Sequence, residues 1–416
     1  VRKNVNEIYG AAADIRSASE DTSKPVRTLS IRKVLPSSTY TNNQIVVNIP
    51  NVRKPIPLFI LMRALGVESD REIIEYCLLD LEKNSSFIDM FIPSIHDANR
   101  FFTQAEAIKF IATFIKVKTV PSALEILSDY LLPHIGEMNF KEKAFFIGHM
   151  VFELLKVDTG LKKPTDRDSF RYKRVELPGI LLSDLFKEYY AIQVKDIFKK
   201  IDKEYYYKEG IYQSNFYNLI ELNTADYFSD RIVDTGLRKA FKGNWGAEAH
   251  TKRLGVVQDL NRLSYNSALA QLRKLNLSID ASAKITGPLL LHSSQWGMID
   301  PVDTPDGGNV GLHKNLSMGA HITSMCLRLP MLHWLRKHAR MRLLSESSCI
   351  YISTVCKVFV NGYWAGTVGR PKEVEKMIKD FRRSGLLPAY ISVYWSISDN
   401  TMYIYTDAGR LCRPIY

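Results

Sequence analysis

The residues best suited to binding chemistry in this sequence are basic and lie close together. Residues 237–284 contain nine Lys and Arg residues and three acidic ones, a net charge of +6 in 48 residues. Half of the chain's formal excess of +12 therefore lies in about a ninth of its length. Positive charge with few acidic neighbours suits phosphate contacts, and the Asn and Gln residues among them suit contacts with base edges.

Residues 256–274 of this stretch show a pattern with two faces when placed on a helical wheel. Val256 and Leu260 lie on one side, and four polar side chains share another: Gln258, Arg262, Asn266 and Arg273. Leu269 falls on the polar side, so we expect a break near Ser264 rather than one straight helix. The alternative interpretation is a solvated face of an ordinary surface helix.

Two loops with flexible backbones flank the helical pattern of residues 256–274. Gly243-Asn244-Trp245-Gly246 precedes it, and residues 276–287 follow it. Paired loops at the two ends of a basic element can intrude between nucleic-acid strands, which favours a nucleic-acid interface.

Catalytic signatures are absent from the sequence. It contains no G-x-S-x-G, H-E-x-x-H or G-x-x-x-x-G-K-[ST] pattern, and the glycines at 307–311 lack dinucleotide-binding spacing. Asp303 and Asp306 flank Thr304-Pro305, an arrangement more typical of a rigid turn than of a metal site. His292 and His313 are interpreted as hydrogen-bonded loop residues.

Two further charged clusters have structural interpretations. Residues 166–174 alternate acidic and basic side chains, which is typical of a loop with local ion pairs. Residues 327–344 are basic and amphipathic. They could lie on a membrane surface, but a helix packed on a neighbouring sheet is the favoured interpretation.

Hydrophobic periodicity predicts the elements that surround these clusters. The β-branched residues 45–49 predict a strand that ends at Pro50. Residues 58–149 carry apolar side chains at helical spacing and predict a mostly helical module, and residues 179–190 predict another helix. Alternation in the last hundred residues, with the turn at Asn361-Gly362, predicts strands and a hairpin.

The composition limits the class of protein. With 46% hydrophobic, 24% charged and 11% aromatic residues, the chain is globular, and 416 residues allow two to four domains at about 100–200 residues each. No apolar run reaches the roughly 18 residues of a membrane span. Five scattered cysteines argue against a disulfide framework and a zinc site, and favour a reducing compartment: Cys77, Cys326, Cys349, Cys356 and Cys412.

Several ordered motifs resemble the second-largest subunit of the multisubunit DNA-dependent RNA polymerases. Those of the fork region are Gly243-Asn244-Trp245-Gly246, Gln258-Asp259-Leu260-Asn261-Arg262, Gln295-Trp296-Gly297, Thr304-Pro305-Asp306-Gly307 and Lys314-Asn315-Leu316-Ser317. Other motifs resemble the lobe (Arg63-Ala64-Leu65-Gly66), the charged segment before the protrusion (Asp166-Arg167-Asp168) and the external domain (Thr406-Asp407-Ala408-Gly409-Arg410). The family usually carries glutamate where Asp303 and Asp306 stand, a departure typical of a viral or otherwise divergent lineage.

The resemblance implies an α+β, multi-domain fold with a mostly helical lobe, a mixed fork region and a β-rich external domain. It implies a lobe-like domain at 1–190, a second protrusion segment at 191–225, a fork-like region at 226–316 and the start of an external domain at 317–416. The chain would then be the middle of a longer subunit, or a split portion of one.

The resemblance also implies that residues of the basic clusters contact nucleic acid. Gln258 and Asn309 match positions that line the pocket beside nascent RNA in bacterial relatives. The full set of expected contact residues is Lys173, Arg174, Lys252, Arg253, Gln258, Arg262, Arg273, Lys274, Lys284, Asn309 and Lys314.

No catalytic residue, metal ligand or cofactor is expected in this chain. The resemblance implies that Mg²⁺ is bound by the largest polymerase subunit, which would be a partner together with other subunits, the DNA template and the RNA–DNA hybrid, and without a membrane. An intracellular location follows, in nucleus, cytoplasm or virion. The alternative is a non-catalytic nucleic-acid-binding or interaction protein on the same scaffold.

Overall fold

The chain divides into two compact units that are each built from two separate segments. The computed structural model describes residues 1–3, 5–20, 26–36, 43–208, 212, 216–249, 251–279, 282 and 285–413. Unit 1 comprises Val1–Asp166 and Met325–Asp407, and unit 2 comprises Arg167–Ser324 and Ala408–Tyr416. No helix in the described part of the chain is long and apolar enough to cross a membrane.

Unit 1 begins with an antiparallel sheet whose strands follow chain order. In the described residues these are β1 (Arg2–Lys3), β2 (Tyr9–Ser17), β3 (Arg27–Val34), β4 (Ile45–Asn48) and β5 (Ile56–Pro57). Alternate residues such as Leu29 and Ile31 on β3 or Ile45 and Val47 on β4 join the core. Every second side chain of a strand points to the same face, so one face of the sheet packs inward. The strand predicted over 45–49 is confirmed.

The helical module predicted over 58–149 is confirmed as the second part of unit 1. Its helices are α1 (Leu58–Ala64), α2 (Asp70–Leu78), α3 (Ile92–Asp97), α4 (Gln104–Ala112), α5 (Val120–Glu125) and α6 (Phe140–Asp158). Thr103 and Glu106 form a capping box that starts α4. Gly148 lets α6 approach α2 closely, because a Cβ at this position would lie 2.5 Å from the carbonyl oxygen of Tyr76.

Unit 2 combines helices with short strands. These are α7 (Pro178–Tyr207), α8 (Phe216–Tyr227), α9 (Ile232–Phe241), α10 (Tyr265–Leu272), β6 (Lys274–Asn276), β7 (His313–Asn315) and β8 (His321–Ile322). The helix predicted over 179–190 is confirmed within α7, which continues for 30 residues in all. Leu185, Tyr189, Ala240 and Trp245 form a small core between α7 and α9.

The second segment of unit 1 returns as α11 (Arg328–His338), α12 (Cys349–Thr354), β9 (Cys356–Val360), β10 (Tyr363–Val368), α13 (Pro371–Arg383), β11 (Ser392–Ser396) and β12 (Thr401–Tyr405). The sheet order is β10-β9-β12-β11, with β9 and β12 parallel. Asn361 and Gly362 both have positive φ, 51° and 82°, as the predicted hairpin turn requires. The amphipathic helix predicted within 327–344 is α11, which buries Met331 and Leu335 in the core of unit 1.

A last strand, β13 (Leu411–Cys412), pairs with β8 and belongs to unit 2. Helices and several sheets thus alternate along the chain, and the predicted α+β, multi-domain class is confirmed.

Candidate nucleic-acid interface

A tight loop follows Trp245 after α9, and we call its described residues, 246–249 and 251, the first fork-like loop. The backbone N–H of Arg253 donates to the carbonyl of Trp245 at 3.1 Å and closes it. Gly246 has a φ of +100°, and a Cβ there would lie 2.5 Å from the carbonyl oxygen of Thr251. Only glycine adopts this conformation at so close an approach without strain.

Glu188 on α7 anchors the first fork-like loop. Its carboxylate accepts hydrogen bonds from the backbone N–H groups of Ala247 at 3.1 Å and Glu248 at 3.2 Å, and from the hydroxyl of Thr251. Hydrogen bonds to an ionised acceptor are stronger than neutral ones, so the anchor holds the loop on the helix. The exposed Lys252 next to it has no ion-pair partner within the described residues.

Arg253 behaves differently from its neighbour in sequence. Its guanidinium pairs with the carboxylate of Glu176, and both side chains remain partly exposed. The charge of Arg253 is therefore largely compensated inside unit 2, and its role as a nucleic-acid contact stays a prediction.

Only the second half of residues 256–274, where the sequence shows a helical pattern, forms a helix. The segment before Ser264 is not helical, and α10 begins at Tyr265, where the Ser264 hydroxyl accepts from the backbone N–H of Ser267 at 3.1 Å. The side chain of Asn261 accepts from the backbone N–H of Leu263 at 3.0 Å. Such side-chain bonds to nearby backbone compete with helix formation. Gln258, Arg262 and Arg273 therefore do not share one helix face, and the expected break near Ser264 is present.

Side-chain amides form hydrogen bonds with the backbone of the irregular segment before α10. Gln271 on α10 accepts from the backbone N–H of Asn261 and donates to the carbonyl of Asp259 at 2.6 Å. Gln258 donates to the carbonyl of Gly255 at 3.0 Å, and Asn276 on β6 donates to that same carbonyl at 3.1 Å. Gln258 and Arg262 are both exposed on this segment.

The antiparallel pair of β6 and β7 joins the basic stretch to a distant part of the chain. Lys274 lies opposite Asn315, and Leu275 lies opposite Lys314. The guanidinium of Arg273, just before β6, donates to the carbonyl of Ser317 at 2.5 Å. Arg273 thus fastens the chain after β7 to the start of β6, and its charge remains half-buried there.

Lys314 is a buried cation, with 6% of its surface exposed. Burial lowers its pKa, and so does the positive charge of Lys173 nearby. No carboxylate pairs with Lys314 in the described part of the chain. Isolated charges are expensive to bury, which is the physical reason for the lowered pKa of this amine.

The other predicted contact residues are more dispersed. Arg174 donates to the carbonyls of Arg171 at 3.2 Å and Lys173 at 3.0 Å. Asn309 is exposed at the end of the 3₁₀ turn Gly307–Asn309. Lys284 lies outside the described residues.

The residues around Asp303 and Asp306 form a hydrogen-bonded turn. The hydroxyl of Thr304 donates to the carbonyl of His313 at 3.1 Å and accepts from the backbone N–H of Gly311 at 2.9 Å, while the Asn315 amide donates to the carbonyl of Asp303 at 2.9 Å. Among the residues that the structure describes, no group of three or more His, Cys, Asp or Glu side chains could hold a metal ion.

Sequence reasoning missed the side chains that position the contacts. Glu176 and Glu188 lie 77 and about 60 residues from the groups they bind, and neither stands in a motif. The sequence indicated a role for Asn276 only weakly, as a member of a flanking loop.

Three sequence-family models match the chain. They are RNA polymerase Rpb2, domain 2 over residues 20–176, domain 3 over residues 258–322 and domain 4 over residues 358–416. Together they cover about two thirds of the chain.

Individual relatives match over nearly the whole chain. The DNA-directed RNA polymerase II subunit RPB2 of Encephalitozoon cuniculi is 34% identical over 98% of this chain and 35% of its own length. Its counterpart in Schizosaccharomyces pombe is 31% identical over 97% of the chain. The DNA-directed RNA polymerase III subunit RPC2 of Drosophila melanogaster is 32% identical over 86%. The chain spans about a third of the length of the curated relatives it matches.

Proposed function

Because the chain belongs to the RNA polymerase Rpb2 family, the second subunits of DNA-directed RNA polymerases, we propose that it shapes the nucleic-acid path of such an enzyme. In this role the chain contacts the DNA template and the RNA–DNA hybrid. It supports nucleotidyl transfer by the assembled polymerase and supplies no catalytic group of its own.

The observation that carries this proposal is the pairing of β6 with β7. This ladder places Lys274 on one face, opposite Asn315, and Lys314 on the other face, opposite Leu275. Lys173 lies near enough to Lys314 to lower its pKa, so each face of the ladder carries positive charge. The exposed Lys252 and Arg262 lie in the segments leading into it. Lysine and arginine side chains that neutralise phosphates supply most of the salt-dependent, sequence-independent affinity for nucleic acids.

We assign the remaining regions by the same family relation. Residues 1–190 act as a lobe-like domain, residues 191–225 as a second protrusion segment, residues 226–316 as a fork-like region and residues 317–416 as the start of an external domain. The largest subunit is the main partner and binds the catalytic Mg²⁺, and the assembly works inside the cell, in the nucleus, the cytoplasm or a virion.

The direct test is a Lys274→Ala variant of the full-length subunit, assembled into its polymerase. Lys274 projects from β6 opposite Asn315, and no ion pair holds it among the described residues. We expect weaker binding to a bubble template and a smaller dependence of log K on log salt, by roughly 0.7–0.9 for one lost phosphate contact.

Lys274→Arg is the matched control, because it keeps the charge and should keep the salt dependence. Parental affinity, salt dependence and elongation rate in Lys274→Ala would contradict the proposed interface. They would favour a family member that uses the scaffold for interactions without contacting nucleic acid at this strand.

A further inference from the structure

An open groove with a volume of about 710 Å³ lies beside the first fork-like loop in unit 2. Its walls come from α7, from one side of α9 with the two residues before it, and from the loop itself. Gly246 and Ala247 belong both to this groove and to the loop, and Lys252, which directly follows the loop, also lines the groove. The groove is thus continuous with the surface proposed above to contact nucleic acid.

The charge of the groove is strongly one-sided. Arg231, Lys239 and Lys252 line it and are exposed. None of these three cations has an ion pair within the described residues. The lining includes one carboxylate, Asp230, whose oxygen lies 2.6 Å from the Nζ of Lys200 outside the groove.

Two acidic groups on the helices that line the groove are engaged elsewhere. Asp234 on α9 pairs with Arg238 at 3.0 Å, and Glu188 on α7 anchors the first fork-like loop. Three uncompensated positive charges therefore face one groove. Same-sign charge in a concave surface concentrates anions there.

The lining also indicates which part of a ligand is recognised. Its aromatic residue, Tyr189, is 9% exposed, and its ring packs where a side chain on Gly236 would otherwise lie. Stacking on nucleobases requires an exposed aromatic face. Phosphate groups, which need only charge and hydrogen-bond donors such as Asn244, suit this lining instead.

We propose that this groove binds the sugar–phosphate backbone of a single nucleic-acid strand through Arg231, Lys239 and Lys252. The inference rests on the proposed function and extends it to Arg231 and Lys239. Recognition is independent of base sequence, because the groove offers charge without a stacking surface.

The test compares two neighbouring residues of α9 in polymerase assembled with the full-length subunit. Lys239→Glu reverses a charge in the groove, and Arg238→Glu reverses one that pairs with Asp234 outside the lining. Binding of 12-nucleotide RNA and DNA single strands is followed by fluorescence anisotropy across a salt series. We expect Lys239→Glu to reduce affinity several-fold and to lower the salt slope by roughly 0.7 or more, and Arg238→Glu to leave the slope unchanged.

The two strand types distinguish the source of the phosphates, and competitors distinguish other ligand classes. A loss with RNA alone or with DNA alone identifies the strand that the groove takes. If ATP or poly-glutamate displaces the strand from the parental enzyme as well as an unlabelled strand does, backbone recognition is overturned.

Lys274→Ala measured beside these variants separates this inference from the proposed function. An altered salt slope in Lys274→Ala with an unaltered one in Lys239→Glu overturns the groove and leaves the β6–β7 interface standing. The reverse pattern supports the groove and contradicts the interface. If Lys274→Ala and Lys239→Glu both keep the parental salt slope, the groove and the β6–β7 interface are both overturned.

Protection from chemical acetylation provides a readout that needs no substitution. A bound strand should slow acetylation of Lys239 and Lys252, and it should leave the exposed Lys376 on α13 unaffected. Equal rates with and without the strand at all three lysines would overturn the proposal.

Discussion

Two buried lysines of this protein differ in the groups that surround their charged ammonium. Lys143 on α6 is fully buried, and its ammonium donates to the carbonyls of Leu127 at 2.9 Å, Ser128 at 2.7 Å and Glu137 at 3.1 Å. Lys314 on β7 is nearly as buried, but a second cation, Lys173, lies near it. Lys143 is therefore hydrogen-bonded within the fold, whereas no carboxylate pairs with Lys314 in the described part of the chain.

This contrast predicts opposite effects of the same substitution. Lys314→Met keeps the length of the side chain and removes an uncompensated charge, so the thermal unfolding temperature should stay the same or rise while oligonucleotide binding weakens. Lys143→Met should lower stability by several kcal/mol, because each buried carbonyl left without a donor costs about 1–3 kcal/mol. Parental binding by Lys314→Met would contradict a phosphate contact at this residue.

Two buried histidines predict a loss of stability in acid. Burial and the neighbouring Lys357 lower the pKa of His149 to about 3, and burial and Arg328 lower that of His134 to about 4. In the unfolded chain both groups titrate near 6.5. At pH values between the folded and the unfolded pKa, the unfolded chain binds more protons than the folded chain. The free energy of unfolding should therefore fall as the pH drops below about 6.5.

The His149→Phe variant tests this prediction by urea unfolding at several pH values. Its free energy of unfolding should depend less on pH below about 6.5 than that of the parental chain. The exposed His333→Gln on α11 is the control and should keep the parental dependence. An unchanged pH dependence in His149→Phe would show that this side chain is not buried in its neutral form.

Helix α7 acts as the support for the first fork-like loop. One carboxylate, that of Glu188, accepts from two backbone N–H groups and one hydroxyl of the loop. The loop is otherwise short of packing, since Ala247 and Thr251 are only partly buried and Glu248 is exposed. Its conformation therefore depends on Glu188 as well as on the backbone hydrogen bond from Arg253 to Trp245 that closes it.

Replacing Glu188 should release the loop without unfolding α7. In Glu188→Ala we expect faster amide hydrogen exchange at residues 247–251 and a lower affinity for nucleic acid. Asp184→Ala, one turn earlier on α7 and exposed, is the control and should exchange as the parental chain does. Unchanged exchange at 247–251 in Glu188→Ala would show that the loop holds itself.

The contact of α2 with α6 depends on the absence of a side chain. A Cβ at Gly148 would lie 2.5 Å from the carbonyl oxygen of Tyr76, which belongs to backbone that cannot move freely. Gly148→Ala should destabilise unit 1 by about 1–3 kcal/mol or more through overpacking. Gly179→Ala, with no atom within 4 Å of the added group, should be neutral or stabilising in chemical unfolding. Equal stabilities would contradict the close approach.

The hydrophobic core of unit 1 is formed by side chains from both of its segments. Phe145 on α6 contacts Trp364 on β10 with ring centroids 6.2 Å apart, and Phe359 on β9 stacks on the same Trp364 at 5.6 Å. One continuous core contains residues from both segments. The N-terminal segment therefore lacks part of its core when it stands alone.

Truncation tests this dependence. A chain ending at Ser324 should lose cooperative thermal unfolding of unit 1 and the near-ultraviolet circular dichroism of its aromatic core. A chain ending at Asp407 keeps every residue of unit 1 and should retain both signals. A cooperative transition in the shorter chain would contradict a shared core.

The elements of this protein could be predicted wherever the local pattern was strong. Periodicity identified the helices of residues 58–149, and Asn361-Gly362 identified the hairpin of β9 and β10, because both signals depend on neighbouring residues. Over residues 256–274 the helix forms only after the expected break near Ser264, since the side chains of Asn261 and Ser264 bind nearby backbone groups and compete with the helix.

The sequence located the basic stretch and ordered its motifs, because charge and family resemblance are properties of residue order. It could not identify the compensated charges. Lys252 and Arg253 are adjacent and alike in the sequence, yet Glu176 pairs with Arg253 and leaves Lys252 exposed. Ion pairs and hydrogen bonds act over a few ångströms, and such distances between residues 44 or 77 positions apart exist only once the chain is folded.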